Sequence, residues 1–203
     1  LGLCSEILKS IKEKGYVNPT EIQERAIPQV LMGRDLLGCA QTGTGKTGSF
    51  IMPLVEILNT GKAKSRMPRS LVLAPTRELA MQVSEEFNLI NKHLRLQMAL
   101  LIGGISFVEQ DNKLAKGVDV LIATPGRLLD HMQRGKVILK DLKILVIDDL
   151  IATGGTAEAA AKLIEISGGT VAGFIFVINL FDLPGNNLLK KKGYRTESLI
   201  EFP

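Results

Sequence analysis

Short apolar runs alternate with longer segments of helical periodicity along most of the chain. Runs typical of strands lie at residues 35–39, 70–74, 97–102, 118–123, 143–148 and 170–180. Segments with helical spacing lie at 5–14, 20–31, 45–58, 77–91, 106–115, 127–134 and 156–166. Because parallel strands need such crossovers, the pattern predicts a single α/β domain over residues 1–203, with one open, mostly parallel sheet and helices on both faces.

Composition agrees with this fold class. The chain has 45% hydrophobic residues, 4% aromatic residues and no Trp, which favours an aliphatic core around a parallel sheet. Cys4 and Cys39 lie far apart in the sequence and match no metal-ligand spacing. We therefore expect free thiols in a reducing compartment. No apolar run reaches the roughly 18 residues of a spanning helix, so we expect a soluble cytoplasmic protein without a membrane partner. The net charge of +4 permits a polyanionic ligand but is weak evidence for one, and the oligomeric state stays open.

A glycine-rich loop stands between a predicted strand and a predicted helix. Its residues are Ala40, Gln41, Thr42, Gly43, Thr44, Gly45, Lys46 and Thr47. The two glycines let the backbone wrap around phosphate oxygens, Lys46 would reach the β- and γ-phosphates, and Thr47 would offer its hydroxyl to Mg²⁺. The alternative is a Gly/Thr-rich turn with a surface lysine, but the position between strand and helix favours a phosphate-binding loop.

Five segments in order, at residues 15–23, 40–47, 75–80, 103–104 and 124–127, resemble motifs of DEAD-box RNA helicases. The resemblance covers the chain up to about residue 145 and implies the first RecA-like domain of such an enzyme, a three-layer sandwich that binds ATP or ADP with Mg²⁺ and contacts RNA. It implies that Gln23 reads the adenine edge. It also implies that the RNA backbone is gripped by Thr76, Arg77, Gly104, Thr124 and Arg127.

The chemistry of these residues agrees with the implied roles. The Gln23 amide has the donors and acceptor that adenine N7 and N6 require, and guanidinium and hydroxyl groups suit phosphate. Taken singly, each residue also has an ordinary interpretation: Gln23 as a solvated helix residue, Arg77 as a charge at a helix N-terminus, and Gly103 with Gly104 as a turn. The ordered set favours the functional interpretation.

The resemblance to a helicase weakens after the strand at 143–148. The family continues with Asp-Glu-Ala-Asp, whereas this chain has Asp148, Asp149, Leu150 and Ile151. Asp148 can still serve the metal, but Asp149 is one methylene shorter than Glu, and a misplacement near 1 Å can cost about a hundredfold in rate. The Ser-Ala-Thr motif, the second domain with its arginine fingers and the adenine-stacking aromatic of the family have no counterpart in the sequence. We therefore expect weakened adenine affinity and negligible ATP turnover and unwinding.

Residues 145–156 also resemble the phosphoribosyl-pyrophosphate (PRPP) motif of type I phosphoribosyltransferases, and the residues after them are most similar to adenine phosphoribosyltransferase. The resemblance implies that Asp148 and Asp149 bind ribose hydroxyls. It implies a 5′-phosphate cradle formed by Ala152, Thr153, Gly154, Gly155 and Thr156. A plain strand–turn–helix is the alternative. Only the last third of such an enzyme is matched, so we expect no transferase activity.

The two resemblances together favour an engineered chimera that joins a helicase-like segment, residues 1–145, to a phosphoribosyltransferase-like segment, residues 146–203. A natural helicase with a degraded motif is the alternative origin. The function expected of the hybrid is binding of adenine nucleotide or phosphate without either parental activity. Three alternatives stay open: a residual Mg²⁺-dependent ATPase, a PRPP or 5′-phosphate binder, and a folding scaffold without a ligand. Weak RNA binding is a further expectation.

Overall fold

The computed structural model describes residues 1–36, 38, 40, 43–147, 161–162, 165, 174–180, 190–193 and 196–202. The described helices are α1 (Ser5–Glu13), α2 (Glu21–Leu31), α3 (Lys46–Leu58), α4 (Arg77–Ile90), α5 (Phe107–Ala115) and α6 (Pro125–Gln133). The described strands are β1 (Ser70–Leu73), β2 (Met98–Leu101), β3 (Val120–Ala123), β4 (Ile144–Ile147), β5 (Phe174–Leu180) and β6 (Thr196–Phe202). A 3-10 turn, Asn91–His93, follows α4 directly.

Strands β1 to β4 form a parallel sheet in the order β2-β3-β1-β4. The register pairs Leu71 with Leu121 on one side and with Leu145 on the other, and Ala99 pairs with Leu121. Because all four strands run in the same direction, their carboxyl ends lie at one edge of the sheet, where ligands bind in open α/β folds. We call this the carboxyl edge.

The sheet is covered on both faces. Leu71, Leu73 and Leu121 pack with Leu114 of α5 and Leu128 of α6 in one buried cluster. The alternate residues of the strands pack with α1 to α4 on the other face, in a second buried cluster. Its members include Ile7, Ile27, Leu54, Val72, Phe87 and Ile122. Side chains alternate between the faces of a strand, so a continuous apolar run such as Leu71–Leu73 supplies both cores. The predicted α/β class with a three-layer RecA-like arrangement is confirmed.

Local signals explain where several helices begin. The Thr76 hydroxyl accepts the N–H of Leu79 at the start of α4, and the Ser106 hydroxyl accepts the N–H of Val108 at the start of α5. Pro125 stands in the first turn of α6, where its missing N–H costs nothing. The predicted helix boundaries over residues 1–134 therefore agree with the structure within about two residues.

The prediction of a strand at residues 35–39 is wrong at the three residues of this range that the structure describes. Asp35, Leu36 and Gly38 belong to no strand, and Leu36 is 48% exposed. The apolar run is short and contains a glycine, which weakens a strand interior. No pairing with the free side of β4 holds these described residues in extended register.

The C-terminal part also differs from the expected single sheet. The predicted strand at 170–180 is present as β5, but β5 pairs in parallel with β6 in a separate two-stranded sheet. The sequence pattern did not predict β6. Of the predicted helix at 156–166, residues 161, 162 and 165 are helical, and the remainder lies outside the described residues. Among the helices that the structure describes, none has the length and apolarity needed to cross a bilayer.

Candidate functional site

The glycine-rich loop has the backbone shape that phosphate binding requires. Gly43 has φ 80° and Gly45 has φ 82°, both in the left-handed region that favours glycine. Gly45 caps α3, which begins at Lys46. The N–H groups of a first helical turn have no carbonyl partner within their own helix, and here they lie directly after the loop. Thr44, Lys46 and Thr47 are half-buried there. Ala40 is described outside any helix or strand, whereas Gln41 and Thr42 lie outside the described residues.

Gln23 connects α2 to this loop. Its side chain is buried, its Oε1 accepts the N–H of Thr20 at 3.1 Å, and its Nε2 donates to the carbonyl of Gly45 at 3.1 Å. A Cβ at Gly45 would stand 2.5 Å from Gln23 Nε2, so glycine is required there for space as well as for φ. An amide has two N–H donors and two acceptor lone pairs. One donor and one lone pair of Gln23 therefore remain for a ligand.

The acidic pair and the second predicted phosphate loop cannot be located. β4 ends at Ile147, which confirms the strand that leads to Asp148. Asp148 and Asp149 lie outside the described residues, as do Ala152, Thr153, Gly154, Gly155 and Thr156. Of the two metal candidates, Thr47 is described and Asp148 is not. Within the described ranges, no group of three or more His, Cys, Asp or Glu side chains could hold a metal.

A cleft of about 370 Å³ lies beside the loop, and α2, α3 and β4 line it. Its wall includes Lys46, residues 33–36 and the strand residues Leu145 and Ile147, which are 39% and 47% exposed. The cleft therefore has both charged and apolar walls, and it lies at the side of β4 that faces away from β1 in the described sheet.

Arg77 packs against the loop that follows β2. A Cβ at Gly103 would lie 2.7 Å from Arg77 Nη2, and a Cβ at Gly104 would lie 3.0 Å from Arg77 Nη1. The two glycines therefore leave the space that the guanidinium fills. Arg77 is exposed on its other side, so the sequence-predicted pair of Arg77 and Gly104 is brought together at the carboxyl edge.

Thr124 and Arg127 join the same loop from α6. The N–H of Thr124 donates to the carbonyl of Leu101 at 3.0 Å, and Arg127 Nη2 donates to the carbonyl of Ile105 at 3.1 Å. Within the described part of the chain, Arg127 Nη1 is buried and has no hydrogen-bond partner. Thr76 lies at the start of α4, where its hydroxyl serves as a cap. Each of the five predicted backbone-gripping residues thus lies directly after β1, β2 or β3, or on the first turn that follows.

A buried polar chain beneath this edge was missed by sequence reasoning. Gln110 Nε2 donates to the carbonyl of Ile102 at 3.1 Å, and His131 Nε2 lies 2.8 Å from Gln110 Oε1. Because that oxygen can only accept, His131 Nε2 carries the proton. The signal in the sequence is a polar residue at a core position of each helix: Gln110 with Leu114, and His131 with Leu128.

On its other side, His131 Nδ1 lies 3.1 Å from Asp111 Oδ1. This contact is an ion pair only when the imidazole is protonated, because a neutral ring with its proton at Nε2 has no proton at Nδ1. Burial lowers the pKa of His131 below its usual 6.5, while Asp111 opposes the shift. His131 is fully buried, so the neutral ring is the form that burial favours.

With this geometry in place, comparison with known proteins identifies the family. A model described as DEAD/DEAH box helicase matches residues 20–165. The chain belongs to this family. The match includes the glycine-rich loop, Gln23 and the residues grouped around the loop after β2, and it confirms the predicted resemblance to DEAD-box helicases.

Individual relatives support the same family assignment. The ATP-dependent RNA helicase HAS1 of Chaetomium globosum is 45% identical over 169 residues, covering 82% of this chain and 29% of the relative. The DEAD-box ATP-dependent RNA helicase RhpA of Helicobacter pylori is 44% identical over 149 residues, covering 73% of this chain and 30% of the relative. The chain thus spans less than a third of the length of these helicases.

The crystal structure of a hypothetical ATP-dependent RNA helicase from Sulfolobus tokodaii supports the fold. It superposes with a TM-score of 0.71 at 24% identity and covers 97% of this chain and 57% of that chain. The family match extends to residue 165, beyond the predicted join near 145. The comparisons therefore support the helicase part of the sequence hypothesis and give no support to a phosphoribosyltransferase segment.

Proposed function

We propose that this chain binds an adenine nucleotide with Mg²⁺ through the glycine-rich loop and the N-terminus of α3. The observation that carries the proposal is the left-handed backbone at Gly43 and Gly45 immediately before Lys46. The helix N-terminus adds its partial positive charge to that of the lysine. The names of the relatives, which describe ATP-dependent helicases, point to the same ligand.

The available groups fit this ligand. Lys46 would contact the β- and γ-phosphates, and Thr47 with Asp148 would hold the metal, which when bound neutralises phosphate charge. Gln23 has one donor and one lone pair left, which is what adenine N7 and N6 need. Its existing bond to the Gly45 carbonyl couples base recognition to the shape of the phosphate loop.

Calorimetry of Mg²⁺ with ADP or ATP tests the proposal. We expect saturable binding in the wild-type chain and its loss in Lys46→Ala. Lys9→Ala, which removes an exposed lysine of α1, should bind normally. Absence of binding at millimolar nucleotide would contradict the proposal and favour the alternative of a folding scaffold without a ligand.

We also propose weak binding of single-stranded RNA through its phosphates, by Arg77, Thr124 and Arg127 around Gly104. The support is their convergence at the carboxyl edge, where guanidinium groups can form bidentate contacts with phosphate. Fluorescence anisotropy of a labelled oligouridine should show binding that weakens as salt is added. Arg77→Ala should weaken it by at least about tenfold, since a hydrogen bond to a charged group contributes roughly 1.5–3 kcal/mol and about 1.4 kcal/mol is a factor of ten. Salt-independent binding, or none, would contradict this proposal.

We propose further that ATP turnover is negligible because Asp149 stands where the family pattern has Glu. The shorter side chain would leave the attacking water poorly oriented. Phosphate release should therefore rise in Asp149→Glu and stay at background in Asp149→Glu with Lys46→Ala. A wild-type rate equal to that of Asp149→Glu would reject this explanation and favour the alternative of a residual ATPase.

The proposal of a phosphoribosyltransferase-like tail, and with it an engineered origin, rests on the sequence motif at residues 145–156 alone. It predicts a rise in melting temperature with PRPP that persists in Lys46→Ala and disappears in Gly154→Asp. No rise at saturating PRPP would leave a helicase domain with an altered acidic motif as the simpler description.

A further inference from the structure

A cationic cluster lies between α5 and α6 and extends beyond the family motifs, which include only one of its members, Arg127. The Cζ atom of Arg127 is 3.8 Å from the centroid of the Phe107 ring, and the Cζ atom of Arg134 is 4.2 Å from it. Residues 127, 131 and 134 are four and then three positions apart, so they share one face of α6. Side chains on a helix lean toward its N-terminus, which carries Arg134 back toward the carboxyl edge.

The cluster has positive charge without a matching carboxylate. Neither Arg127 nor Arg134 is paired with an acidic side chain among the residues the structure describes, since nearby Asp111 faces His131 and Lys136. Two guanidinium groups beside one ring repel each other, and the negative face of the ring offsets only part of that repulsion. Such a pair is stabilised by an anion.

The two arginines of the cluster differ in how far they are exposed. Arg127 Nη1 is buried without a hydrogen-bond partner among the residues that the structure describes, while Nη2 of the same group donates to the carbonyl of Ile105. Buried polar groups are normally paired, so an unpaired one calls for an explanation. Arg134 is exposed and therefore accessible from solvent on the side of the ring that it covers.

We propose that Arg134 and Phe107, together with Arg127, form a further phosphate subsite for the RNA backbone. The inference rests on the proposed RNA binding and extends it along α6. The Arg127 guanidinium donates to the carbonyl of Ile105, the residue after Gly104. An RNA strand that contacts Arg77 and Gly104 would therefore continue onto this cluster. Phe107 acts as a positioning residue that holds both planar groups, and Arg134 supplies the additional contact.

Anisotropy with a fluorescein-labelled oligouridine over a series of salt concentrations tests the subsite. Arg134→Ala should weaken binding about three- to tenfold at low salt and reduce the slope of log K against log[salt] by about 1, the signature of one lost phosphate contact. The matched control is Arg95→Ala. Arg95 is exposed just before β2, at the opposite edge of the sheet, and its removal should leave the slope close to that of the wild type.

Two further variants separate positioning from charge. Arg134→Lys keeps the charge but loses the planar fork, so the slope should recover while affinity recovers only partly. Phe107→Leu keeps all charges and should weaken binding with little change of slope. Melting temperatures close to that of the wild type would exclude a loss of folding as the cause.

The outcomes test the Arg134 subsite separately from the proposed RNA binding on which it rests. If the wild type binds RNA and Arg77→Ala weakens it, while Arg134→Ala behaves like Arg95→Ala, the subsite is overturned and the proposed RNA binding stands. If the wild type shows no salt-dependent binding, both are overturned. A loss of slope confined to Arg134→Ala, with recovery in Arg134→Lys, supports the subsite.

Discussion

Gly45 and Gly103 restrict substitution for different physical reasons. Gly45 has a left-handed backbone and lies against Gln23, so a side chain there is strained and also lacks space. Gly103 does not have a positive φ; a methyl group there would meet only the end of the flexible Arg77 side chain. Substitution should therefore disturb the first site through the fold and the second only through the arginine.

Gly103→Ala tests this distinction. The added Cβ would stand 2.7 Å from Arg77 Nη2, so the guanidinium must move while the backbone need not. We expect stability to change by less than about 0.5 kcal/mol and RNA affinity to fall as far as in Arg77→Ala. In the double variant the losses should not add, because both remove the same contact. Additive losses in anisotropy would show that Gly103 acts independently of Arg77.

Gln23→Ala should destabilise the fold as well as the nucleotide site. It removes the acceptor for the Thr20 N–H and the donor to the Gly45 carbonyl, each worth about 1 kcal/mol. We expect urea unfolding to report a loss of about 1–2 kcal/mol. Gln82→Ala, which truncates an exposed glutamine of α4, is the control. Equal stabilities of the two variants would contradict the role of Gln23 as a link between α2 and the loop.

At the scale of elements, a buried polar chain joins α5 to α6 beside the apolar cluster that includes Leu114 and Leu128. His131 of α6 lies between Gln110 and Asp111 of α5, and Gln110 in turn holds the carbonyl of Ile102. Arg127 and Arg134 on α6 add positive charge near the ring, and Lys136 lies 3.7 Å from Asp111. The protonation of one imidazole therefore affects how these two helices support the loop after β2.

The direction of the pH effect follows from the lowered pKa of His131. The unfolded chain takes up a proton near pH 6.5, before the folded chain does. The contribution of His131 to stability is thus fully present above pH 6.5 and is lost as the pH falls from there toward the lower pKa of the folded state. Urea unfolding between pH 7.5 and 5.5 should show wild type losing more stability than His131→Gln. Parallel losses would mean that His131 does not titrate in this way.

The positions of helices and strands could be predicted from the sequence better than the pairing of the strands. Helices α1 to α6 and strands β1 to β4 follow from periodicity and caps, since both are local properties. The strand at 35–39 and the sheet position of β5 depend on which strand lies alongside, and no local pattern encodes that. The same limit applies to the site: Gly43, Gly45, Lys46 and Arg77 could be predicted from motifs, but the bonds of Gln23 to Gly45 and of Gln110 to His131 join distant segments.

At the scale of the whole molecule, the two edges of the sheet are built differently. The carboxyl edge has the exposed Arg77 and Gly104, whereas the opposite edge is held by a buried ion pair. Arg69 donates through Nε and Nη2 to Asp119 Oδ1 at 2.9 Å and 2.6 Å, and it also binds the carbonyls of Leu58 and Thr60. Both side chains are less than 10% exposed. The sequence contains a signal for this ion pair, because a charged residue stands just before each of two apolar strands, β1 and β3.

Asp119→Ala should cost about 3–5 kcal/mol, because it leaves Arg69 buried without a counter-charge. Arg25→Ala is the control, since it breaks an exposed pair with Glu21 that contributes about 0.3–0.5 kcal/mol. Denaturant unfolding measures both. Nucleotide and RNA binding of the folded fraction should be unchanged in Asp119→Ala, because the pair lies away from the carboxyl edge. A loss below about 1 kcal/mol would mean that water reaches the pair.

The Asp119 carboxylate also accepts the N–H groups of Ala63 and Gln97, which lie 56 and 22 positions away in the chain. We expect such a junction to form late in folding, because it joins distant segments and the loops between them must close first. Interactions formed after the folding transition state slow unfolding and leave the folding rate nearly unchanged. The ion pair at this edge should therefore set how long a folded molecule survives rather than how quickly it forms.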